Sequence, residues 1–191
     1  MTIKIFGVKV IISYFFMTAL LICIANDKSG IVIPLLFSIC LHELSHLVFL
    51  CLFGVKIREI SLVPGTVGIT HTQLDTKAQK IICLLAGPLS NVLASAVFHL
   101  FSFDNLFMIN LLLSILNLFP ARGLDGGSII YALLEGHLSQ DKINITLRLF
   151  SLILTLIIVC VFFLLLYANQ ANYSLLLFAL YLLIPLFMKI S

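Results

Sequence analysis

The sequence predicts an all-α polytopic membrane protein with about six transmembrane helices, and three observations predict it. Hydrophobic residues make up 62% of the 191-residue chain and charged residues 10%, with a mean hydropathy of +1.22. An ordinary soluble domain carries about 25% charged residues. Second, the apolar residues fall into stretches at 10–25, 31–53, 81–101, 106–119, 149–167 and 173–188. Third, six crossings place Lys4, Lys9, Lys56, Arg58, Lys77, Lys80, Arg122, Lys142, Arg148 and Lys189 on one side and only Lys28 on the other. The positive-inside rule then makes the protein a multi-pass cell-membrane protein with both termini cytosolic.

The first stretch follows Lys4 and Lys9 and has the length of a signal-peptide core, but Ile24-Ala25-Asn26-Asp27 offers a poor cleavage site. A retained first span is the expectation. Gly30 and Pro34 bound the short turn into the second stretch, which is long enough to cross a bilayer. After it, residues 55–62 alternate polar and apolar side chains before Pro64-Gly65. That pattern suits a short β-hairpin after helix two, able to pair its edge with an extended strand. A plain membrane-surface loop carrying positive-inside lysines fits the same residues equally well.

The polar stretch 54–80 is shorter than the roughly 40 residues a self-standing domain needs, so residues 1–191 read as one membrane domain. The fourth stretch, 106–119, is fourteen residues, which as helix rise about 21 Å against a hydrocarbon core of roughly 30 Å. Pro120, Gly123, Gly126 and Gly127 follow it. The fourth helix is therefore expected to break within the membrane, where irregular backbone is tolerated only if packed in protein or lining a water-filled cavity. Cys23, Cys40, Cys51, Cys83 and Cys160 show no Cys-x-x-Cys spacing and read as small buried hydrophobes.

The second stretch contains Cys40-Leu41-His42-Glu43-Leu44-Ser45-His46-Leu47. A glutamate at membrane depth costs about 2.5–3.5 kcal/mol on insertion scales, so its presence there needs a use. Residues four apart on a helix are separated by about 400° of rotation, so His42 and His46 project from one face, a turn apart. This H-e-x-x-H spacing suits two zinc ligands, with Glu43, about 100° around the helix, placed as general base. A hydrogen-bonded polar patch between helices is the plainer alternative. A catalytic zinc usually takes three protein ligands, and Asp125 is the best further donor, for the cavity at the end of the fourth stretch would bring its carboxylate with it. Counted from the outer surface, His42 lies about 17 Å deep and Phe119 about 20 Å, so spans two and four can present ligands at one level. Asp125 also fits a helix cap or turn carboxylate, given the glycines around it. His71, His99 and His137 read as surface or interfacial residues, and Ser90, Asn91 and Asn110 as hydrogen-bonding groups between helices.

The His42–His46 motif, Ala86-Gly87-Pro88-Leu89-Ser90-Asn91 in span three, and the string from Asn117 to Gly127 together resemble the signature regions of the site-2 protease family of intramembrane zinc metalloproteases. The likeness covers roughly the first two-thirds of the chain. Within that family, the compact layout is most similar to the sporulation stage IV FB-type branch, which activates a membrane-tethered sigma factor precursor. The resemblance implies a single intramembrane metalloprotease domain without a PDZ insertion, one zinc ion per chain held by His42, His46 and Asp125, and Glu43 as catalytic base. It makes Asn117 a polar contact near the site, with Asn91 a further site-shaping residue.

By the same resemblance the partners are a membrane-tethered protein substrate, a membrane-protein inhibitor or regulator, and the lipid bilayer, with no nucleic acid. Two features depart from the sporulation branch. No C-terminal nucleotide-sensing domain is expected, and Arg122 stands where an apolar or aromatic residue would. Two other functions fit the residues: a metal transporter using the histidines as transit ligands, and a catalytically inactive regulator of a membrane partner.

Overall fold

A computed structural model describes residues 1–168 apart from 6, 28, 64, 65 and 73. The expected sixth span, the turn before it, Lys28, Lys189 and the Pro64-Gly65 turn lie outside the described residues. The chain divides into two compact units, Met1–Leu116 and Asn117–Ser191.

The first unit opens with strands, not with a span. β1 (Thr2–Ile5) and β2 (Val8–Ile12) pair antiparallel, with Gly7 between them in the left-handed region at φ 83°. Thr2-Ile3-Lys4-Ile5 and Val8-Lys9-Val10 alternate β-branched with polar residues, which suits a pleated sheet. α1 (Tyr14–Ala25) follows and is only 12 residues long, so the expected first span 10–25 is part strand and part helix. β3 (Ile57–Val63) and β4 (Thr66–His71) form the antiparallel pair expected after helix two. β3 also pairs parallel with β2, giving a four-stranded sheet in the order β1-β2-β3-β4. Lys9 Nζ donates to Glu59 Oε2 at 2.9 Å across that parallel junction.

α2 (Val32–Leu52) and α3 (Lys77–Leu100) are long and apolar enough to cross a membrane, as is α6 (Gln140–Tyr167) in the second unit. Asp27 receives the chain into α2. Its carboxylate accepts from the backbone N–H of Val32 at 2.9 Å, of Ile31 at 3.2 Å and of Ser29 at 3.2 Å, and from Ser29 Oγ at 3.0 Å. These bonds satisfy donors that a helix start leaves open. They hold the Asp27 carboxyl below its ordinary pKa of 3.8, with the Val32 bond the largest cause. A depressed folded-state pKa contributes stability that is present above the unfolded value and lost as pH falls through the folded one. Hydrogen exchange at the Ile31 and Val32 amides, corrected for intrinsic rates, is therefore expected to quicken below about pH 4. Asp27→Ala should exchange fast both above and below that pH.

Gly54 at φ 70° ends α2. Its N–H reaches the Cys51 carbonyl at 2.9 Å and that of Val55 reaches Leu50 at 3.0 Å, a Schellman closure that a side chain at position 54 would strain. The buried positions on α2 are Ser38, His42, His46 and Leu50, one stripe at four-residue spacing. α3 starts on a capping box between Thr76 and Gln79. It buries Cys83, Ala86, Gly87, Pro88, Asn91 and Ser95. α4 (Asp104–Leu118) buries Asn110, whose Nδ2 donates to Ser38 Oγ of α2 at 2.9 Å.

In the second unit, α5 (Asp125–Leu134) is a helix where the sequence suggested only irregular chain, and α6 begins nine residues before its apolar run. Residues 119–124 are non-helical and lie over the first turn of α5. A Cβ on Gly127 would collide with the Ala121 carbonyl, and one on Gly126 with the Leu118 and Phe119 carbonyls. Ala121 and Leu124 pack with Leu154 and Ile158 of α6. Of the five cysteines expected to be buried, only Cys83 is; Cys23, Cys40, Cys51 and Cys160 are exposed.

Candidate metal centre

The site is built first from α2. His42 and His46 are 6% and 9% exposed, and their Nε2 atoms lie 3.1 Å apart. The spacing of four on a helix places the rings one turn apart, and they meet edge to face with centroids 4.8 Å apart. Against His46 Nδ1, at 2.7 Å, stands the backbone carbonyl of Cys83 on α3. A carbonyl can only accept, so Nδ1 carries the proton, and Nε2 of the neutral ring keeps its lone pair for a metal. Two ligands of one tetrahedral zinc, each at about 2.0–2.1 Å, stand roughly 3.3–3.4 Å apart, and the imidazole pair matches this within a few tenths of an ångström.

Gly87 of α3 completes the floor. A Cβ built there would lie 2.6 Å from His42 Nε2 and would also strike His46 Nε2. The rings therefore pass directly over the α3 backbone at the one residue without a side chain. In the sequence Gly87 stands within a motif without a part of its own, and the Cys83 carbonyl leaves no side-chain signal; only the packing of α2 on α3 brings either to the imidazoles.

Glu43 follows His42 on α2 and is half-buried. Asn91, one turn beyond Gly87, is fully buried. Its Oδ1 accepts from Ser90 Oγ at 3.3 Å, while its Nδ2 has no partner among the described residues. It thus lies along the same buried stripe of α3 as Gly87. His71 Nδ1 bonds the Thr72 carbonyl, and the His99 ring lies against Phe107.

In the second unit, Asp125 is the first residue of α5, after the extended Leu124, and is half-buried. A carboxylate in the first turn is favoured by the helix dipole, but the capping position itself is held by Leu124 and not by Asp125. Asn117 stands in the last turn of α4, half-buried. Two imidazole nitrogens and one carboxylate oxygen from His42, His46 and Asp125 make up a donor set that zinc accepts.

Several known proteins are similar to this chain. A zinc metalloprotease of Methanocaldococcus jannaschii is 34% identical over 126 residues, covering 58% of this chain and 37% of that protein. Stage IV sporulation protein FB of Bacillus subtilis is 29% identical over 119 residues, covering 56% of this chain and 41% of that protein. The matched region thus spans well under half the length of either relative. The solved structure of a site-2 protease from Methanocaldococcus jannaschii superposes with a TM-score of 0.70 at 24% identity, covering 100% of this chain and 98% of that one, which shows a shared fold. The model described as peptidase M50B-like matches residues 11–121, more than half of the chain, and the chain belongs to that family.

Proposed function

We propose that this protein is a zinc-dependent intramembrane endopeptidase that hydrolyses a peptide bond in or near the membrane segment of a tethered protein. The observation that carries the reading is the His42–His46 pair, with Nε2 atoms 3.1 Å apart and one ring fixed through Nδ1 by the Cys83 carbonyl. His42, His46 and Asp125 would hold one zinc per chain. Bound zinc supplies a Lewis acid and brings the pKa of its water toward 7. Glu43 takes the proton of the attacking water and later delivers it to the leaving amine, so no covalent intermediate is needed.

Peptide bonds of a transmembrane helix are shielded by their own hydrogen bonds, so the substrate has to unwind before attack. The β3–β4 pair offers backbone to an unwound strand, while Asn117 and Asn91 shape the site. The same reading gives a single domain of six spans, with the fourth interrupted at 119–124 and both termini cytosolic. The end of α4 at Leu118 and the restart at Asp125 support the interruption. The substrate class extends to a sporulation sigma factor precursor on the strength of the relative named for sporulation.

Metal analysis tests the ligand set. Purified wild type should carry about one zinc, and Asp125→Ala should weaken binding by more than the 10–100-fold typical of an outer-sphere change. Equal zinc affinity in both would remove Asp125 from the set. In proteoliposomes, wild type should shorten a co-reconstituted single-span substrate, and a chelator should stop it.

A further inference from the structure

Arg122 has no part in the chemistry above, yet it is 5% exposed, and its Nη1 has no partner among the described residues. It makes no ion pair among those residues. Residues 169–191 contain no aspartate or glutamate. The charge nearest to it, that of Arg148, has its own sign. A buried cation left without a counter-ion is strongly disfavoured, so the fold calls for an anion beside it.

The depth of the residue is fixed by α6. The backbone N–H of Arg122 donates to Ser151 Oγ at 2.8 Å, and Arg148 is one turn earlier on that helix, exposed. Arg148 is the last charged residue before the apolar run 149–167, so Arg122 sits where water gives way to hydrocarbon. Lys142 and Arg148 add cations on the watery side of that level, and the rings of Phe119 and Phe150 meet beside it, centroids 6.4 Å apart. Two guanidinium groups at that boundary, flanked by aromatic carbon, match one chemistry: a phosphate oxyanion whose other end is apolar. Guanidinium binds phosphate with paired, charge-assisted bonds. At this depth phosphate is carried by the phospholipid headgroup, and basic recesses at the cytosolic end of membrane helices recruit anionic ones.

We propose that Arg122 and Arg148 form a binding site for the headgroup phosphate of an anionic phospholipid. The proposal rests on the membrane reading above but not on proteolysis, and a nanodisc presents the same lipid on both faces, so orientation does not enter the test.

The experiment uses the full chain in nanodiscs of phosphatidylcholine with 20% phosphatidylglycerol, followed by native mass spectrometry of the released protein. Wild type should retain phosphatidylglycerol. Arg122→Leu and Arg148→Gln should each lower that retention about fivefold, the worth of one cation at a charged membrane surface. Arg148 is exposed, so its replacement keeps the fold and carries the test should Arg122→Leu fail to assemble. Retention equal to wild type in Arg148→Gln, or in a folded Arg122→Leu, overturns the proposal. Inorganic phosphate at 10 mM in pure phosphatidylcholine nanodiscs should not raise the melting temperature as phosphatidylglycerol does. An equal rise would assign the site to soluble phosphate instead, and displacement of phosphatidylglycerol by an acidic peptide would assign it to a protein carboxylate.

Discussion

Glu43→Gln is expected to abolish peptide hydrolysis while leaving zinc bound. The amide keeps the shape and bulk of the carboxylate but cannot accept the proton of the attacking water or return one to the leaving amine. General acid–base catalysis contributes about 10²–10⁴-fold, and Glu43 serves both half-steps, so a loss of at least about 10³-fold is expected. The measurement is single-turnover cleavage of a reconstituted single-span substrate, with zinc content read on the same sample. Retained zinc with lost cleavage separates a base from a ligand. Cleavage at the wild-type rate would reduce Glu43 to a polar packing group, and unimpaired metal flux without cleavage would favour the transporter reading.

Gly87→Ala is the second large effect, and it acts through space alone. The added methyl would stand 2.6 Å from His42 Nε2 and strike His46 Nε2, so either α3 retreats from α2 or the imidazoles turn away. Retreat would also lengthen the 2.7 Å bond from His46 to the Cys83 carbonyl. Both routes spoil the metal site, and zinc affinity and activity should each fall at least about 100-fold, the upper range for losing an orienting partner. Helical content should survive. Alanine in a helix interior is favoured over glycine by about 0.5–1 kcal/mol, which partly offsets the 1–3 kcal/mol typical of overpacking. A folded protein without zinc is the expected outcome, read by circular dichroism beside metal analysis; full zinc occupancy would show that the helices can separate without cost.

The sequence made some of this legible and hid the rest for physical reasons. The His42–His46 spacing was readable because one helical turn decides it, and the paired β3 and β4 because residues 55–62 alternate. β2 was hidden because residues 10–12 are apolar and continuous with α1, and a short apolar run does not distinguish strand from helix, while β1 alternates over only four residues. Gly126 and Gly127 looked like helix breakers. In the structure they are helical, and their missing side chains make room for the carbonyls of residues 118, 119 and 121. α6 was placed too late because its first two turns, from Gln140 to Arg148, are polar enough to read as loop. The cysteines were assigned to a protein core, whereas in a bilayer an apolar residue is as well accommodated facing outward. Gly87 and the Cys83 carbonyl contribute geometry and not side-chain chemistry, so no residue-type pattern could single them out.

The parallel pairing of β2 with β3 makes α1 and α2 the outgoing and returning legs of one connection, since α1 leaves beside Leu62, to whose carbonyl Ser13 N–H bonds at 3.0 Å. Five pleated residues at about 3.3 Å each and twelve coiled ones at about 1.5 Å reach about 34 Å, while the 21 residues of α2 reach about 32 Å. The two legs are thus nearly equal in travel although only one is helical throughout. A ruler that measures helices alone misjudges how much chain this connection uses, because about half the length of its first leg is a ribbon.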